Sequence, residues 1–464
     1  MSSPRAYLVE SIPKGLEDLR GTPGVAYTED VLARLTTGAK RTIDLTAMYW
    51  SLVPDKTGAD ESGFTDTQFE AFGAGDGRVL YQALHDAAAR GVSIRILQSP
   101  GFGGGKQESD ALQAQFPNQV HIHQVSMPAW YGDGIMHQKI WAFDRLHVYL
   151  GSANMDWKSI AQVKEMGVAI ENCSEIADDA TRYFEAWWTF SALSPSCAGA
   201  YDPAAHIWRR VPDWSELVPL GERKTSPLND DGYRARSSRL NPLKLELNDE
   251  VAGVYLTGSP GEVCGPGRTH DDEALVQTIL EAGESVCISV MDFAPVSLFG
   301  RKHDDLLAGH QDPRLLNTPV WWPDLIDALL HVVLTRKVNA RLLVSKWAHS
   351  SPLIEPYLRA LQQTAAAGRA NPGLASGSLE VRQFIVPDWA STEGAGRKFP
   401  GHTRVNHTKF IVTDQRLNIG TSNMTWDYFA ATAGSSFNTD HAGLVRNLQV
   451  VFDRDWESRY AHPL

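Results

Sequence analysis

Two stretches of this 464-residue chain carry the same chemically active side chains at the same spacing. The first, MHQKIWAFDRLHVYLGSANMDW, supplies His137, Lys139, Asp144 and, after a Gly-Ser turn, Asn154. The second, NHTKFIVTDQRLNIGTSNMTWDYF, supplies His407, Lys409, Asp414 and Asn423. In both, His to Lys is two residues, Lys to Asp five and Gly to Asn three. Composition alone yields an H-x-[KR]-x4-[DE] pattern about 0.16 times by chance. One copy is therefore weak evidence, and two copies with the same downstream turn are strong. Side chains two apart on a strand share a face, so each His projects with its Lys. The motif histidines are not in an HExxH or HxH arrangement and no carboxylate cluster has metal-ligand spacing, so neither a metal nor a cofactor is expected. Two lysines and two asparagines brought together would make a donor-rich cationic pocket for non-bridging phosphate oxygens. One histidine could attack phosphorus while the other protonates the leaving oxygen. The chemistry implied is phosphodiester cleavage or transfer through a phosphohistidine.

The elements that must position these groups are themselves repeated. Residues 29–50 read as a short amphipathic helix, a Gly turn and a strand, and 271–293 repeat that shape. A longer helix, VLYQALHDAAARG (79–91), feeds the strand VSIRIL, and DLIDALLHVVLTRKV (324–338) feeds ARLLV. Each half adds a third strand, HIHQV (121–125) or VRQFIVP (381–387), before its His-x-Lys block. Strands alternating with helices predict α/β units around a sheet. The halves are expected at 1–200 and 251–464, with 201–250, rich in Pro, Arg, Asp and Ser, as a crossover linker. A second irregular insertion, 366–404, reads as a lid or binding loop.

Composition limits the alternatives. With 43 basic and 55 acidic residues the net charge is −12, which excludes a strongly basic nucleic-acid coat but not a local basic site. No apolar run of 18 residues occurs, and the start, MSSPRAYLVESIPKG, lacks a charged segment leading into an apolar one. The expectation is a chain with no transmembrane segment and a cytoplasmic address. Four cysteines (Cys173, Cys197, Cys264, Cys287) are too sparse for a disulfide scaffold. Tyr49, Trp50 and Phe293 at strand ends, with Trp157, Trp426 and Tyr428 after the Gly-x-x-Asn turns, could stack on bases or simply pack in the core. Arg397, Lys398 and Arg404 could form an electrostatic funnel or a solvated charge run. Asp292 could accept a hydrogen bond from a substrate hydroxyl such as a 5′-OH. Asn172, Asn406 and Asn423 stand in N-x-[ST] sequons, and a glycan on either of the last two would block the site.

Paired H-x-K-x4-D motifs with downstream G-[ST]-x-N resemble the signature of the phospholipase D superfamily. The segments LVESIP, YWSL, LGSANMDWKSIAQVKEMGV, ENCS, CGPGRTHDDEAL, RVNHTKFIVTD and FDRDWESRYA are similar to its exonuclease branch, typified by phospholipase D three and four. The resemblance covers nearly the whole chain. It implies a duplicated phospholipase D fold: two α/β sandwich halves packed pseudo-symmetrically around one active site, with no metal in the chemistry. It implies a 5′ to 3′ exonuclease on single-stranded DNA or RNA; the alternative is a phospholipase or transphosphatidylase acting on phospholipid or lysophospholipid, and a non-catalytic binding protein is disfavoured by two complete motifs. A homodimer is compatible with the family. Carried over by position, His137 is the nucleophile and His407 the general acid, roles that sequence symmetry leaves exchangeable. Lys139, Lys409, Asn154 and Asn423 hold phosphate, and Asp144 and Asp414 are structural orienters. Glu165, eleven residues after Asn154, is an acid that orients a histidine, while the equivalent position 434 is Gly. The site is expected to be asymmetric.

Overall fold

Period-two alternation along the central strands determines the architecture. The computed structural model describes residues 3–100, 108–131, 133–193, 200–202, 207–209, 230–298, 320–370 and 375–464. In the first half β1 (Arg5–Ser11), β2 (Val25–Tyr27), β3 (Thr42–Ala47), β4 (Ser93–Gln98), β5 (Val120–Gln124), β6 (Ile140–Phe143), β7 (His147–Gly151) and β8 (Glu165–Glu171) form one sheet, ordered β2-β1-β8-β7-β6-β3-β4-β5. The second half contributes β9 (Leu243–Leu247), β10 (Glu250–Gly258), β11 (Thr269–His270), β12 (Ser285–Val290), β13 (Asn339–Lys346), β14 (Leu379–Ile385), β15 (Lys409–Thr413), β16 (Leu417–Gly420), β17 (Ser436–Thr439) and β18 (Ala461–Pro463). Their order is β9-β10-β17-β16-β15-β12-β13-β14-β18, with β11 beside β10. Seven strands therefore repeat in identical order, from β1 to β5 and from β10 to β14. The three outermost of the seven, β3-β4-β5 and β12-β13-β14, are parallel in each half.

Alternation sends one face of each sheet into a core shared by both halves. Val148 and Leu150 of β7, Met166, Val168 and Ile170 of β8, Phe410 and Val412 of β15, and Leu417 and Ile419 of β16 all enter it. Their neighbours Tyr149, Ala169 and Ile411 face outward, under the helices. Helices α1 (Thr28–Gly38) and α2 (Ala74–Ala89) cover the first sheet's outer face, while α3 (Trp157–Ala161) and α4 (Ser174–Phe190) follow the first motif. In the second half α5 (Asp271–Leu280), α6 (Asp324–Arg336) and α7 (Ile354–Arg369) cover the outer face, followed by α8 (Trp426–Ala430) and α9 (Ala442–Glu457). Apolar residues at helical spacing, Ile176, Ala180, Phe184 and Trp187 on α4 and Leu444, Leu448, Val451 and Phe452 on α9, belong to the shared core. Each half's long last helix thus packs across the junction.

The departures from expectation are local. Residues Leu243–Leu247, expected as linker, form strand β9, paired antiparallel to β10; most of 201–229, and Cys197, lie outside the described residues. The 366–404 insertion begins with the end of α7 and contains all of β14, so it is not one continuous loop. Helix α2 starts five residues before the apolar run, because Gly73, at φ 88°, ends the preceding helix Asp66–Phe72 and opens α2. Gly77 within α2 is needed for close approach: a Cβ there would sit 2.3 Å from the Leu52 carbonyl and 2.5 Å from Trp157 Cβ. That contact seats α3, and with it the turn carrying Asn154.

Asp144 and Asp414 occupy equivalent turns, at the ends of the hairpin strands remote from the histidines. Asp144 accepts from the backbone amides of Lys40, Arg41 and Thr42, and Asp414 from those of Gly283, Glu284 and Ser285. Each carboxylate thereby pins β6 or β15 to the start of β3 or β12. Replacing either by Ala is expected to lower unfolding free energy by about 1–2 kcal/mol. Urea denaturation measures this, and residual activity of the folded fraction should stay near that of the parent protein.

Candidate active site

The active-site edge lies where α/β sheets usually place ligands, beyond the carboxyl ends of parallel strands β3 and β12. Each motif crosses to the opposite half before entering its own sheet. The His137 amide donates to the Ala433 carbonyl at 3.0 Å, and the His407 amide to the Lys164 carbonyl at 2.8 Å. Isolated bridges Met136↔Ala433 and Lys164↔Asn406 continue this exchange. The two imidazoles consequently face each other, with ring centroids 6.0 Å apart at an interplanar angle of 70°.

Each ring is oriented by a group from the other half. His137 Nδ1 lies 2.8 Å from the Thr421 carbonyl, which can only accept, so Nδ1 carries the hydrogen and Nε2 keeps its lone pair. His407 Nδ1 lies 2.9 Å from both oxygens of Glu165, so it too donates, here to a fully buried carboxylate. Lys139 Nζ donates to the His137 carbonyl at 2.8 Å and Lys409 Nζ to the His407 carbonyl at 2.7 Å. Both ammonium groups are buried and retain further N–H donors. Burial, then the nearby lysines, holds His137 well below the ordinary imidazole range. Burial also lowers His407, although Glu165 opposes the shift. Burial lowers Lys139 and Lys409 as well, with mutual repulsion adding to the effect at Lys139.

The histidines open onto a cavity of about 170 Å³, which Asn154, Glu165, Tyr49 and Tyr428 also line. Asn423 donates through Nδ2 to Asp292 Oδ2 at 2.9 Å. The Oδ1 atoms of Asn154 and Asn423 are buried without a hydrogen-bond partner. Of the four motif residues expected to meet phosphate, Asn154 lines the cavity with both histidines, Lys139 and Lys409 bond the carbonyls of their own histidines, and Asn423 bonds Asp292. Burial raises the Asp292 carboxyl, and Lys409 opposes that rise. Tyr428 stands edge-on to His137, centroids 5.2 Å apart. Trp50, Trp157 and Phe293 are core residues, away from the cavity. Asn406 and Asn423 are buried, so neither sequon can carry a glycan in the folded chain.

The motif duplication is broken at three positions around the rings. Tyr49 and Asp292 are equivalent, each second after the end of its strand, β3 or β12. Asp156 and Thr425 are equivalent, each two residues after its Asn; Asp156 accepts from Tyr49 Oη and caps α3. Glu165 and Gly434 complete the set.

Some residues fall elsewhere than the sequence suggested. Arg404 is buried, donating to the carbonyls of Pro387 (2.9 Å) and Lys14 (2.8 Å), with burial lowering its guanidinium to about 10. Arg397 donates to the carbonyls of Ala59 and Ser62 across the junction. Arg397 and Arg404 thus fasten the loop before the second motif instead of forming a funnel, and Lys398 stays exposed, its ammonium 3.7 Å from Asp388. Sequence reasoning missed Asp156, Ser159, Trp347 and His402 as cavity-lining residues. Asp156 had a signal, lying two residues beyond a motif asparagine; Trp347 and His402 had none. Among the described residues no group of three or more His, Cys, Asp or Glu side chains is arranged to hold a metal ion, and no helix is long and apolar enough to cross a membrane.

Comparison with known proteins places the chain among described relatives. A family model described as "Cardiolipin synthase, PLD-like domain" matches residues 65–188, and one described as "PLD3/4, PLD-like domain" matches residues 235–389. The 5'-3' exonuclease PLD3 of Xenopus laevis is 35% identical over 98% of this chain and 80% of its own length. Its Homo sapiens counterpart is 33% identical over 99% of this chain and 80% of its own length. Phospholipase D Z of Dictyostelium discoideum is 32% identical over 98% of this chain and 90% of its own length. Among solved structures, phosphatidylserine synthase of Haemophilus influenzae Rd KW20 shares the fold, with a TM-score of 0.53 and 12% identity over 94% of this chain and 85% of that one.

Proposed function

This chain belongs to the phospholipase D superfamily, in its PLD3/4 branch, and we propose that it is a 5′ to 3′ exonuclease on single-stranded nucleic acid, working through a phosphohistidine without a metal. The superfamily makes it a phosphodiesterase. The observation that carries the mechanism is the pair of imidazoles 6.0 Å apart, each with Nδ1 engaged and Nε2 left for substrate. His137, neutral and without a carboxylate partner at Nδ1, suits the nucleophile. Its Nε2 forms a bond to phosphorus as the phosphorus–oxygen ester bond breaks. His407, whose imidazolium form Glu165 stabilises, gives its proton to the departing oxygen. The neutral His407 then takes a proton from water, which attacks phosphorus and releases His137. Lys139 and Lys409, with Asn154 and Asn423, receive the non-bridging oxygens. Each half carries one motif, and the second half begins with β9 at Leu243, ahead of the expected limit of 251.

Nucleic acid as substrate is supported by relatives named 5'-3' exonuclease along nearly the full chain. The relative named phospholipase D supports a second reading, phospholipid or lysophospholipid transfer through the same covalent step. A cytoplasmic address is supported by Cys173, Cys264 and Cys287, which are buried free thiols. A homodimer is part of the proposal on family grounds, and light scattering of the purified protein measures it.

The test is digestion of single-stranded oligonucleotides bearing 5′-OH or 5′-phosphate ends, in EDTA. Stepwise shortening from the 5′ end is the expected result, unchanged by the chelator. Intact oligonucleotide from pH 5 to 8, with head-group exchange on phospholipid in a parallel assay, would establish the lipid reading instead.

A further inference from the structure

We infer that Trp347, His349 and His402 form a nucleobase platform at the mouth of the cavity, receiving a base next to the phosphate undergoing attack. The inference rests on the nuclease reading above and names the subsite that reading lacks. The cavity runs from the two catalytic rings past Val163, Met291 and Val405 to Trp347 and His402. Its inner end holds the two imidazoles, with Lys139 and Lys409 close behind them, and its outer end is aromatic. A ligand that matches both ends has an anionic group at one side and a flat aromatic group at the other, as a nucleotide does.

The three rings form an array that is open to solvent. His349 stacks on His402, with centroids 4.6 Å apart and planes 15° apart. Trp347 meets His349 edge-to-face at 4.7 Å and lies 6.2 Å from His402. The side chains of His349 and His402 are 41% and 52% exposed, so core packing does not fix them. Polar bonds fix them instead: His402 Nδ1 to Asp60 Oδ2 at 2.9 Å, and His349 Nε2 to Glu393 Oε1 at 3.2 Å. The His402 backbone is held at φ 57°, uncommon for a residue with a side chain, while the adjacent Gly401 amide donates to the Asp60 carbonyl at 2.9 Å. Asp60 belongs to the first half and His402 to the second, so the first half holds one ring of the platform in place. The indole Nε1–H of Trp347 is buried without an acceptor, a donor available to a ligand oxygen. Bases of every kind stack on such faces, which suits an enzyme that must accept each nucleotide in turn. An acyl chain gains from unbroken apolar surface, and imidazole edges bonded to carboxylates do not provide it.

The experiment compares a single-stranded oligonucleotide with one whose two 5′-terminal nucleotides carry a tetrahydrofuran abasic sugar, as kcat/KM for release of the first product. The parent protein is expected to prefer the base-bearing strand by about 5–150-fold, the range that stacking of one base supplies. Trp347→Ala should lower cleavage of the base-bearing strand toward the parent's rate on the abasic one, mostly through KM, and Trp347→Phe should restore much of the preference. Circular dichroism melts confirm that the variants are folded. Equal cleavage of both strands by the parent protein, or a preference untouched in folded Trp347→Ala, would overturn the platform and leave the nuclease reading standing. Failure to cleave either strand, with phospholipid turned over, would remove both.

Discussion

His137→Ala is expected to abolish turnover, with kcat at least about 10⁴-fold lower, and to leave no phosphoryl-enzyme. His407→Ala should fail differently. With a 4-nitrophenyl phosphodiester the leaving group departs as a weakly basic phenolate and needs no proton. The His407→Ala protein should therefore release about one equivalent of nitrophenolate in a burst and then stall, because no base activates water. Acid-labile phosphate should accumulate on His137, which phosphopeptide mapping detects. The assignment follows from the two Nδ1 partners: a peptide carbonyl holds His137 in its neutral tautomer, and a carboxylate favours the charged form of His407. A burst from His137→Ala and none from His407→Ala would exchange the two roles.

Glu165→Gln carries the second large effect. The carboxylate raises the affinity of His407 for its proton against burial and the lysines, so removing its charge lowers that affinity further. The rate of the first step needs His137 neutral and His407 protonated. Activity therefore rises as His137 loses its proton and falls as His407 does. In Glu165→Gln the falling limb should move to lower pH. Near the parent's optimum kcat should drop about 10–100-fold, the usual cost of losing an orienting partner, with a smaller loss at pH 5 than at pH 8. An unshifted limb in a folded variant would show that Glu165 serves packing alone.

The repeat, both motifs and the sheet class were legible because they rest on short-range regularities. Alternation of two, helical spacing near four and a fixed His-x-Lys step survive in any register. What could not be read depended on contact across the junction. Glu165 was visible as an acid at a suggestive distance from Asn154, yet its partner is His407, because β8 and the second motif meet edge to edge. Arg404 looked like surface charge in a loop of Gly, Arg and Lys, and only the tertiary fold shows its guanidinium buried against carbonyls from both halves. Trp347 and His402 stand on separate loops more than fifty residues apart, with no periodicity linking them. The edge strands β9 and β18 were missed for a related reason: they have no counterpart in the other half, so the repeat gave no guide to them.

The broken equivalences around the rings have a consequence for how a strand can lie in the cleft. Two identical halves related by a twofold axis would form a palindromic groove, and a polynucleotide could enter it head-first or tail-first with equal free energy. Tyr49 against Asp292, Asp156 against Thr425 and Glu165 against Gly434 remove that degeneracy, because no rotation now superimposes the cleft on itself. Duplication within one chain is what permits each half to diverge separately. The cleft acquires a forward and a reverse direction, and with them the means to tell one end of its substrate from the other.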